Sequence, residues 1–336
     1  MPAEEEAQMK ITVVVPTYRR PQDLKRCLEA LQQLSRRPDQ VLVVVRDTDA
    51  STWTFLESFD SGLPLSVLTI KVTGVVAAMN LGLDAAFGDI IAFTDDDAAP
   101  HTDWLERIEA TFLSDSRIGA VGGRDFTYYG SVLKDFSSHP GANDIVGRLQ
   151  WFGRVIGNHH IGEGTPREVD VLKGVNVSYR ANAIHKLRFD ERMKGTGAQV
   201  HFELAFCLAL KRAGWKLIYD PLIAVDHFPA QRFDEDQRNS FNKIAAINLA
   251  HNETLALLEH LPLIRRWIYL LWAVLIGTRD AYGIVQVIRF FTLEKTIALE
   301  KFLASMKGRW QGWQTWLERD LFNETQSKTL SMGDLE

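Results

Sequence analysis

The stretch ITVVVPTYRRPQ, residues 11–22, begins with five apolar or β-branched residues and then turns polar. A continuous run of this kind predicts a strand that is buried on both faces, as in a parallel sheet. Pro21 suits the first turn of a helix, and the following leucines Leu24, Leu28 and Leu31 stand at helical spacing. The stretch therefore predicts a strand–turn–helix unit, from which α/β sheets are built.

The same alternation continues over the first third of the chain. Strand patterns recur at 40–45, 65–70, 89–94 and 118–123, and helical patterns occupy 77–86 and 102–113. Strands alternating with helices predict an α/β fold with a doubly wound, mostly parallel, Rossmann-like sheet. In such sheets ligands bind beyond the carboxyl ends of the strands.

The rest of the chain is less regular at first and then helical. A strand pattern covers 171–180, an amphipathic helix covers 201–215, and two short extended pieces lie at 216–221 and 223–229. From about residue 241 the pattern stays helical. We therefore predict one domain over 1–240 and a helical C-terminal region over 241–336.

Charge and cysteine content argue against two classes of protein, nucleic-acid-binding proteins and disulfide-rich proteins. The net charge is −5 and the pI is about 6.0, which gives no support to bulk nucleic-acid binding. Two distant cysteines, Cys27 and Cys207, argue against a disulfide framework. The acidic start MPAEEEAQMK has no signal-peptide core, and no run reaches the ~18 apolar residues of a spanning helix. We therefore expect a cytoplasmic protein.

Three consecutive aspartates, Asp95, Asp96 and Asp97, end the strand pattern IIAFT. Carboxylates crowded at the end of a buried strand repel one another unless a cation neutralises them. Oxygen ligands suit Mg²⁺ or Mn²⁺, which are often held by one or two carboxylates together with substrate phosphates. A solvated turn before Pro100 explains the triplet equally well when it is taken alone.

The order of motifs is more specific than the triplet. A buried strand ends in PTY, a second ends in RD, the segment AAMNLGLDAAFGD follows, and FTDDDAAP comes next. This order resembles the family 2 glycosyltransferases, which have the glycosyltransferase A fold of the nucleotide-diphospho-sugar transferases, and the likeness runs from about residue 9 to 226. The resemblance implies a metal-dependent, inverting hexosyltransferase in polysaccharide biosynthesis. Its donor would be a nucleoside diphosphate sugar, a UDP-sugar by family frequency, and its acceptor a glycan or a lipid-linked sugar.

The resemblance also assigns the donor side of the site. Two positions depart from the family pattern: Arg46 stands where an acidic residue is usual, and Met79 where an arginine is usual. The resemblance implies that Asp95 contacts the ribose or the diphosphate, and Asp96, between Asp95 and the expected metal ligand Asp97, has a solvated turn as its simpler interpretation. The residues matching the nucleotide-sugar site are Pro16, Thr17, Tyr18, Arg19, Asp47, Asn80, Asp95 and Asp96.

The metal ligands implied by the resemblance are Asp97 and His227. His227 lies in VDHFPAQR, after a short apolar strand. A late histidine completes the metal site in several relatives of this fold, although a lone histidine is as often structural. Imidazole suits Mn²⁺ better than Mg²⁺, so the implied cofactor is Mn²⁺ or Mg²⁺.

The catalytic base implied by the resemblance is Glu203. The family has a Glu-Asp pair before this helix, and Phe202-Glu203 stands in its place, with His201 as the alternative base. An acid favoured by the helix dipole is the other interpretation of Glu203. The predicted acceptor or diphosphate side consists of Trp104, Gly122, Gly123, Arg232 and Arg238.

The segment 262–316 is rich in tryptophan, leucine and arginine, and four of the nine tryptophans fall between Trp272 and Trp316. It predicts interfacial amphipathic helices that contact the inner face of a membrane. A helical contact between subunits is the open alternative, so an oligomer is compatible with the sequence.

Two other functions are alternatives to sugar transfer. A sugar nucleotidyltransferase needs a glycine-rich basic loop after the first strand, and PTYRRPQ contains no glycine. A catalytically degenerate protein that binds the donor, or serves a structural role, remains open because of Arg46, Met79 and Phe202. Donor hydrolysis in the presence of Mn²⁺ separates an enzyme from a degenerate protein.

Overall fold

The structure is a computed structural model that describes residues 8–60, 62–134, 144–237 and 240–318. The strands are β1 (Ile11–Thr17), β2 (Gln40–Arg46), β3 (Leu65–Ile70), β4 (Ile90–Thr94), β5 (Ala98–Pro100), β6 (Ile118–Tyr129), β7 (Val132–Leu133), β8 (Arg148–Leu149), β9 (Val155–Ile156), β10 (Arg167–Glu168), β11 (Asn176–Arg180) and β12 (Lys216–His227). The helices are α1 (Pro21–Gln32), α2 (Ala50–Ser58), α3 (Val75–Ala85), α4 (Trp104–Ser114), α5 (Ala181–Ile184), α6 (Phe202–Arg212), α7 (Lys243–His260), α8 (Leu263–Leu275), α9 (Ile284–Glu294) and α10 (Thr296–Leu317).

The main sheet is mixed but mostly parallel. Its strand order is β10–β12–β6–β11–β4–β1–β2–β3, with β5 added to β12 and β7 added to β6. The β1–β2, β2–β3, β1–β4 and β6–β12 pairs are parallel. The chain order reverses beside β1, because β2 lies on one side of it and β4 on the other. This switch point brings the carboxyl ends of β1 and β4 together, which is where such sheets bind ligands.

Both faces of β1 are covered by helices. Val13 and Val15 belong to an apolar core that includes Leu24 of α1 and Ile108 of α4. Val14 points the other way, since side chains alternate along a strand. On that face Gly82 of α3 approaches so closely that an added Cβ would lie 2.4 Å from the Val14 side chain. The predicted doubly wound α/β fold, with a helical C-terminal region, is confirmed.

Several element boundaries differ from the prediction. The strand predicted at 171–180 is confined to β11, and β6 runs to Tyr129. The two extended pieces after residue 216 are one strand, β12, whose register shifts between Asp220 and Ala224. Helix α2 was not predicted, because its few residues lack an amphipathic pattern. Its signal is Asp49, whose carboxylate accepts from Thr52 N at the helix start.

The described residues fall into two compact units. The first lies within 1–150, 154–189 and 206–233 and contains the whole sheet; the second lies within 151–153, 190–205 and 234–336. The predicted boundary near residue 240 is close to Asp234, but two earlier segments also belong to the second unit.

Within the second unit α7 and α10 pack closely through small residues. A Cβ added to Gly308 or Gly312 of α10 would lie 2.3 Å or 2.6 Å from a carbonyl oxygen of α7. Among the described helices, none combines the length and apolarity needed to cross a bilayer. Both cysteines are buried and neither forms a disulfide, as their separation in the sequence predicts, and the Cys207 sulfur accepts from Leu172 N at 3.4 Å.

Candidate donor and metal site

Asp49 holds the turn that follows β1. Its carboxylate accepts from Arg19 N at 2.5 Å and from the Thr52 hydroxyl at 2.7 Å. Arg19 has a φ of 58°, a left-handed conformation that is unfavourable for a residue with a side chain. Burial opposes ionisation of Asp49, but the hydrogen bonds from Arg19 and Thr52 prevail and lower its pKa. Asp49 therefore fixes the predicted nucleotide-binding turn from the neighbouring strand end.

Two guanidinium groups lie close to the Tyr18 ring. The central carbons of Arg19 and Arg46 are 5.0 Å and 5.2 Å from the ring centroid, within the range of a cation–π contact. The Phe233 ring meets Tyr18 edge-on at 6.3 Å. Arg46, the departure from the family pattern, thus stands against the aromatic residue of the turn.

Asp96 is buried rather than solvated. Its side chain accepts from the Thr17 hydroxyl at 2.8 Å and pairs with Arg20 Nη1 at 2.7 Å. Arg20 Nη1 is also 3.6 Å from Asp97 Oδ2. The solvated-turn interpretation of Asp96 is therefore wrong, because Thr17 and Arg20 draw this carboxylate inward. Arg20 was not among the predicted site residues.

Asp95, Asp97 and His227 form a cluster that can hold a metal ion. One ligand atom from each residue lies within 4.8 Å of the other two. The pairing of β5 with β12 sets Ala98 opposite His227, so the imidazole comes beside Asp97. His227 Nε2 is 3.4 Å from Asp97 Oδ1. The two predicted metal ligands are thus brought together, and Asp95 joins them.

The electrostatics of this cluster reflect crowded, buried carboxylates. Burial raises the pKa of Asp96 to about 7, with Asp97 and Asp95 adding to the rise and Arg20 opposing it. Burial also disfavours ionisation of Asp97, but His227, the Ala230 N–H and Arg20 together hold its pKa below the usual range. A divalent cation would relieve this concentration of negative charge. Two carboxylates and one imidazole are donors that Mn²⁺ accepts, so the residues present fit the implied metal.

Asp125 and Lys173 lie behind His227. His227 Nδ1 is 3.5 Å from Asp125 Oδ2, and Asp125 is fully buried. The Lys173 ammonium pairs with the same carboxylate. Burial would raise the pKa of Asp125, but Lys173 and His227 outweigh it and lower the pKa. Neither Asp125 nor Lys173 was predicted to belong to the site.

Two predicted site residues, Asn80 and Trp104, are buried and make structural contacts. Asn80 is buried, and its amide exchanges hydrogen bonds of 2.9 Å and 2.8 Å with the main chain of Phe189. Trp104 is completely buried, and its indole donates to Asn176 Oδ1 at 2.9 Å. The expectation that Trp104 lies on the acceptor side does not fit this position, because an apolar ring at the start of α4 is drawn into the core.

The glycine pair of β6 allows close approach of the adjacent strands. A Cβ on Gly123 would lie 1.7 Å from the Ile223 carbonyl oxygen, and one on Gly122 would lie 2.7 Å from the Asn176 carbonyl oxygen. These glycines therefore have a packing role whether or not an acceptor binds beside them.

Four further predicted site residues, three from the nucleotide side and Arg232 from the acceptor or diphosphate side, lie at the surface of the first unit. Asp47 and Arg19 are exposed, whereas Pro16 and Arg232 are partly exposed. Arg238 lies outside the described residues.

Glu203 lies in the first turn of α6. The loop leading to it contains Gln199 and His201, with φ values of 41° and 76°. Asn252 of α7 closes this loop within the second unit. Its side chain accepts from Lys194 N at 2.8 Å and donates to the Lys194 and Val200 carbonyl oxygens at 2.9 Å and 3.0 Å. The position at a helix N-terminus favours a negatively charged side chain.

Comparison with known proteins places this site in context. The model of the family described as "Glycosyl transferase family 2" matches residues 12–188, just over half of the chain. A protein of Haloferax volcanii named glycosyltransferase AglE is 32% identical over 123 residues, 35% of this chain and 40% of that protein. The matched part thus spans less than half of that relative.

Two further proteins match over greater lengths. The glucosyl-dolichyl phosphate glucuronosyltransferase of Haloferax volcanii is 22% identical over 227 residues, 65% of this chain and 69% of that protein. The structure of a mannosyltransferase from Pyrobaculum calidifontis, in complex with GDP-Man and Mn²⁺, superimposes with a TM-score of 0.54. It covers 93% of this chain and 88% of its own, and at 16% identity the likeness concerns the fold.

Proposed function

The chain belongs to glycosyl transferase family 2, and on that premise we propose that it transfers a sugar from a nucleoside diphosphate sugar to a glycan or lipid-linked acceptor. The observation that carries this proposal is the grouping of Asp95, Asp97 and His227 at the switch point of the sheet. Carboxylates and an imidazole placed where such sheets bind ligands are suited to a metal-bound diphosphate.

The donor would lie across the carboxyl ends of β1 and β4. A divalent cation, Mn²⁺ or Mg²⁺, held by Asp97, Asp95 and His227 would neutralise the diphosphate as it leaves. Tyr18 and Arg19 would contact the nucleoside, because Asp49 fixes the turn that carries them. Pro16, Thr17, Asp47 and Asn80 complete the proposed nucleotide side. Thr17 and Asn80 would act through the main-chain and carboxylate contacts described above.

The chemical step we propose is a single displacement with inversion. The acceptor oxygen forms a bond to C1 of the sugar while the bond from C1 to the diphosphate oxygen breaks. The hydroxyl proton passes to the Glu203 carboxylate, and the departing diphosphate carries away the electron pair of the broken bond. Arg232 and Arg238 are the proposed cations for the diphosphate, and His201 is the alternative base. Gly122 and Gly123 would flank the acceptor.

Glu203→Gln tests the base. The amide keeps the shape of the side chain but cannot take a proton, so turnover should fall by about 10²–10⁴-fold. Donor binding, measured by calorimetry with Mn²⁺, should stay within a few-fold of the wild-type value. His201→Gln is the control for the alternative base. Wild-type turnover by Glu203→Gln would show that another group accepts the proton.

The donor and the metal are defined by one hydrolysis and transfer screen. UDP-sugars and GDP-sugars are offered with Mn²⁺, with Mg²⁺ and with EDTA, and the released nucleotide is measured. We expect metal-dependent release from one donor, with a UDP-sugar as our proposal. Metal-dependent binding without release from any donor would favour a degenerate donor-binding protein. Formation of a sugar nucleotide from nucleoside triphosphate and sugar phosphate would favour a nucleotidyltransferase.

We also propose that the acceptor is reached at the cytoplasmic face of a membrane. Support comes from α8, where Ile264 (75% exposed), Trp267 (60%) and Leu271 (63%) recur at helical spacing on one face. Ile288 of α9 is 72% exposed as well. Between residues 262 and 299 five basic residues accompany two acidic ones. An apolar face beside an excess of basic charge is complementary to anionic lipid. The name of the dolichyl phosphate-using relative agrees with a lipid-linked acceptor.

Vesicle co-sedimentation tests this contact. The chain should sediment with phosphatidylglycerol vesicles more than with phosphatidylcholine vesicles, and Ile264→Ser/Leu271→Ser should stay in the supernatant. Leu222→Ser is the matched control, because Leu222 of β12 is also 57% exposed. If no vesicle is bound and the double variant instead converts a dimer to a monomer, the face is a subunit contact.

A further inference from the structure

His227 lies between two carboxylates that face different nitrogens of its ring. Nε2 is 3.4 Å from Asp97 Oδ1, on the side of the metal cluster, and Nδ1 is 3.5 Å from Asp125 Oδ2. Asp125 is completely buried on β6, and His227 is 6% exposed on β12. The parallel pairing of β6 and β12 fixes the two side chains relative to each other. The sequence places them 102 positions apart.

Each nitrogen of the His227 ring can either carry a proton or bind a metal, but not both at once. A nitrogen that binds a metal must present a lone pair, so the other nitrogen of a neutral imidazole carries the proton. Asp125 Oδ2, 3.5 Å from Nδ1, is placed to accept that proton when Nε2 binds a metal, which would select the tautomer with a lone pair on Nε2. The Lys173 ammonium pairs with the same oxygen, Asp125 Oδ2, and its positive charge favours the carboxylate form of this buried side chain, which accepts hydrogen bonds.

We propose that Asp125, paired with Lys173, is a positioning residue for the metal: it fixes the His227 tautomer and ring orientation so that Nε2 faces Asp95 and Asp97. This inference rests on the proposed metal site but concerns Asp125 and Lys173, which are not among the proposed metal ligands. Carboxylates behind metal-bound histidines tune metal affinity in many proteins, typically by 10–100-fold. The pair has a second consequence, because Lys173 offsets a buried charge that would otherwise destabilise the sheet.

A simpler effect must be separated from positioning. Any negative charge near a cation raises its affinity through space, without help from His227. A positioning role requires His227, whereas a through-space effect does not. The two are distinguished by removing Asp125 with and without the imidazole, in a double-mutant cycle.

The measurement is Mn²⁺ affinity, read from the electron paramagnetic resonance signal of free Mn²⁺ in the absence of nucleotide. Asp125→Asn should weaken Mn²⁺ binding about 10–100-fold. In the His227→Gln background, adding Asp125→Asn should weaken Mn²⁺ binding by less than about threefold. Asp170→Asn is the matched control, because Asp170 also pairs with a lysine, Lys211, at 2.7 Å. This control variant should bind Mn²⁺ with the affinity of the wild-type chain.

An equal loss in both backgrounds would overturn the proposal in favour of a through-space charge effect. Unchanged affinity in Asp125→Asn, with clear weakening in His227→Gln, would overturn it while leaving the metal site intact. Absence of Mn²⁺ binding by the wild-type chain would instead refute the proposed metal site and this inference with it.

A second measurement needs no Asp125 variant and therefore stands even if Asp125→Asn fails to fold. Histidine-specific ¹⁵N labelling reports the tautomer of His227 in the Zn²⁺-loaded wild-type chain, because Zn²⁺ is closed-shell and takes imidazole ligands. His227→Gln assigns the signal. The proton is expected on Nδ1, and a proton on Nε2 would refute the positioning role.

Discussion

Replacement of Arg20 by methionine tests how the structure tolerates aspartates in a buried turn. Arg20 Nη1 is 2.7 Å from Asp96 and 3.6 Å from Asp97, and the side-chain exposures are 20%, 3% and 1% respectively. Methionine keeps an apolar stem but removes the cation. Two buried carboxylates then lose a shared partner, and the free energy of unfolding should fall.

The size of the effect follows from burial and pH. Removing one partner of a buried ion pair costs about 3–5 kcal/mol, and the partial exposure of Arg20 favours the lower figure, about 3 kcal/mol. Burial raises the pKa of Asp96 to about 7 even though Arg20 opposes the rise. Removal of the Arg20 cation should raise the pKa of Asp96 further. A raised carboxyl pKa means that the folded state holds a proton the unfolded state has lost. Stability therefore falls as pH rises through this range, and the fall extends to higher pH in the variant.

The assay is urea and thermal unfolding of both proteins at pH 6 and pH 8. We expect a deficit of about 3 kcal/mol at pH 8, or roughly 10 °C in the transition temperature, and a smaller deficit at pH 6 because Asp96 is then protonated in both proteins. Saturating Mn²⁺ should restore part of the loss. Arg107→Met is the control, since the Arg107–Asp103 pair is short at 2.5 Å but about 40% exposed and should cost at most ~1 kcal/mol. Equal deficits at both pH values, or none, would refute this electrostatic reasoning.

Three other predictions concern the scaffold. Burial lowers the pKa of His159 to about 4, so the unfolded state takes up the proton first as the pH falls and the folded state loses stability between pH 6.5 and pH 4. In His159→Gln this loss, measured by urea unfolding, should be smaller. An unchanged dependence of the unfolding free energy on pH would contradict this. Asn252→Ala should cost about 3 kcal/mol in urea unfolding, since three partly buried main-chain groups lose their partner. A loss below ~1 kcal/mol would argue against the loop closure. Gly123→Ala should lower the free energy of unfolding by ~3 kcal/mol, because its Cβ would lie 1.7 Å from the Ile223 carbonyl oxygen. Gly130→Ala is the control, because Gly130 has open space around it and the substitution should cost about 1 kcal/mol for backbone strain alone. Similar losses in the two variants would contradict the packing role of Gly123.

The parallel half of the sheet, β1 to β4, could be predicted because strands buried on both faces have continuous apolar sequences. β1, β2, β3 and β4 all lie within two residues of their predicted positions. The strand–helix order then located the carboxyl ends of β1 and β4. Since ligands bind at those ends, the sequence was sufficient to select Asp97 and Thr17 for one neighbourhood.

The other half of the sheet, in which parallel and antiparallel pairs are mixed, was harder to predict. β6 and β12 each continue past a polar or irregular segment, and the register shift near Asp220 hides the continuity of β12. His227 was selected through family resemblance, and its contact with Asp97 depends on the β5–β12 pairing. That pairing joins strands more than 100 residues apart and leaves no local pattern.

The charged partners were missed for a related reason. Arg20 reads as an exposed residue before a helix, and Lys173 reads as part of a short strand. Each acquires its role from a distant carboxylate, Asp96 or Asp125. A lone aspartate in the apolar run of β6 was the available signal, because a buried carboxylate requires a cation or several hydrogen bonds. Burial likewise decided the structural contacts of Asn80, whose amide bonds to a distant main chain.

The central claim is that the aspartates after β4 hold a metal that binds the donor diphosphate. Calorimetric titration of UDP and GDP into the wild-type chain and Asp97→Asn, with Mn²⁺ and with EDTA, tests it most directly. The account predicts that one nucleotide binds the wild-type chain with Mn²⁺, and that EDTA or Asp97→Asn removes this metal-dependent binding. Equal affinity with and without metal, or an unchanged metal dependence in Asp97→Asn, would contradict it and leave the aspartates as a buried structural turn neutralised by Arg20.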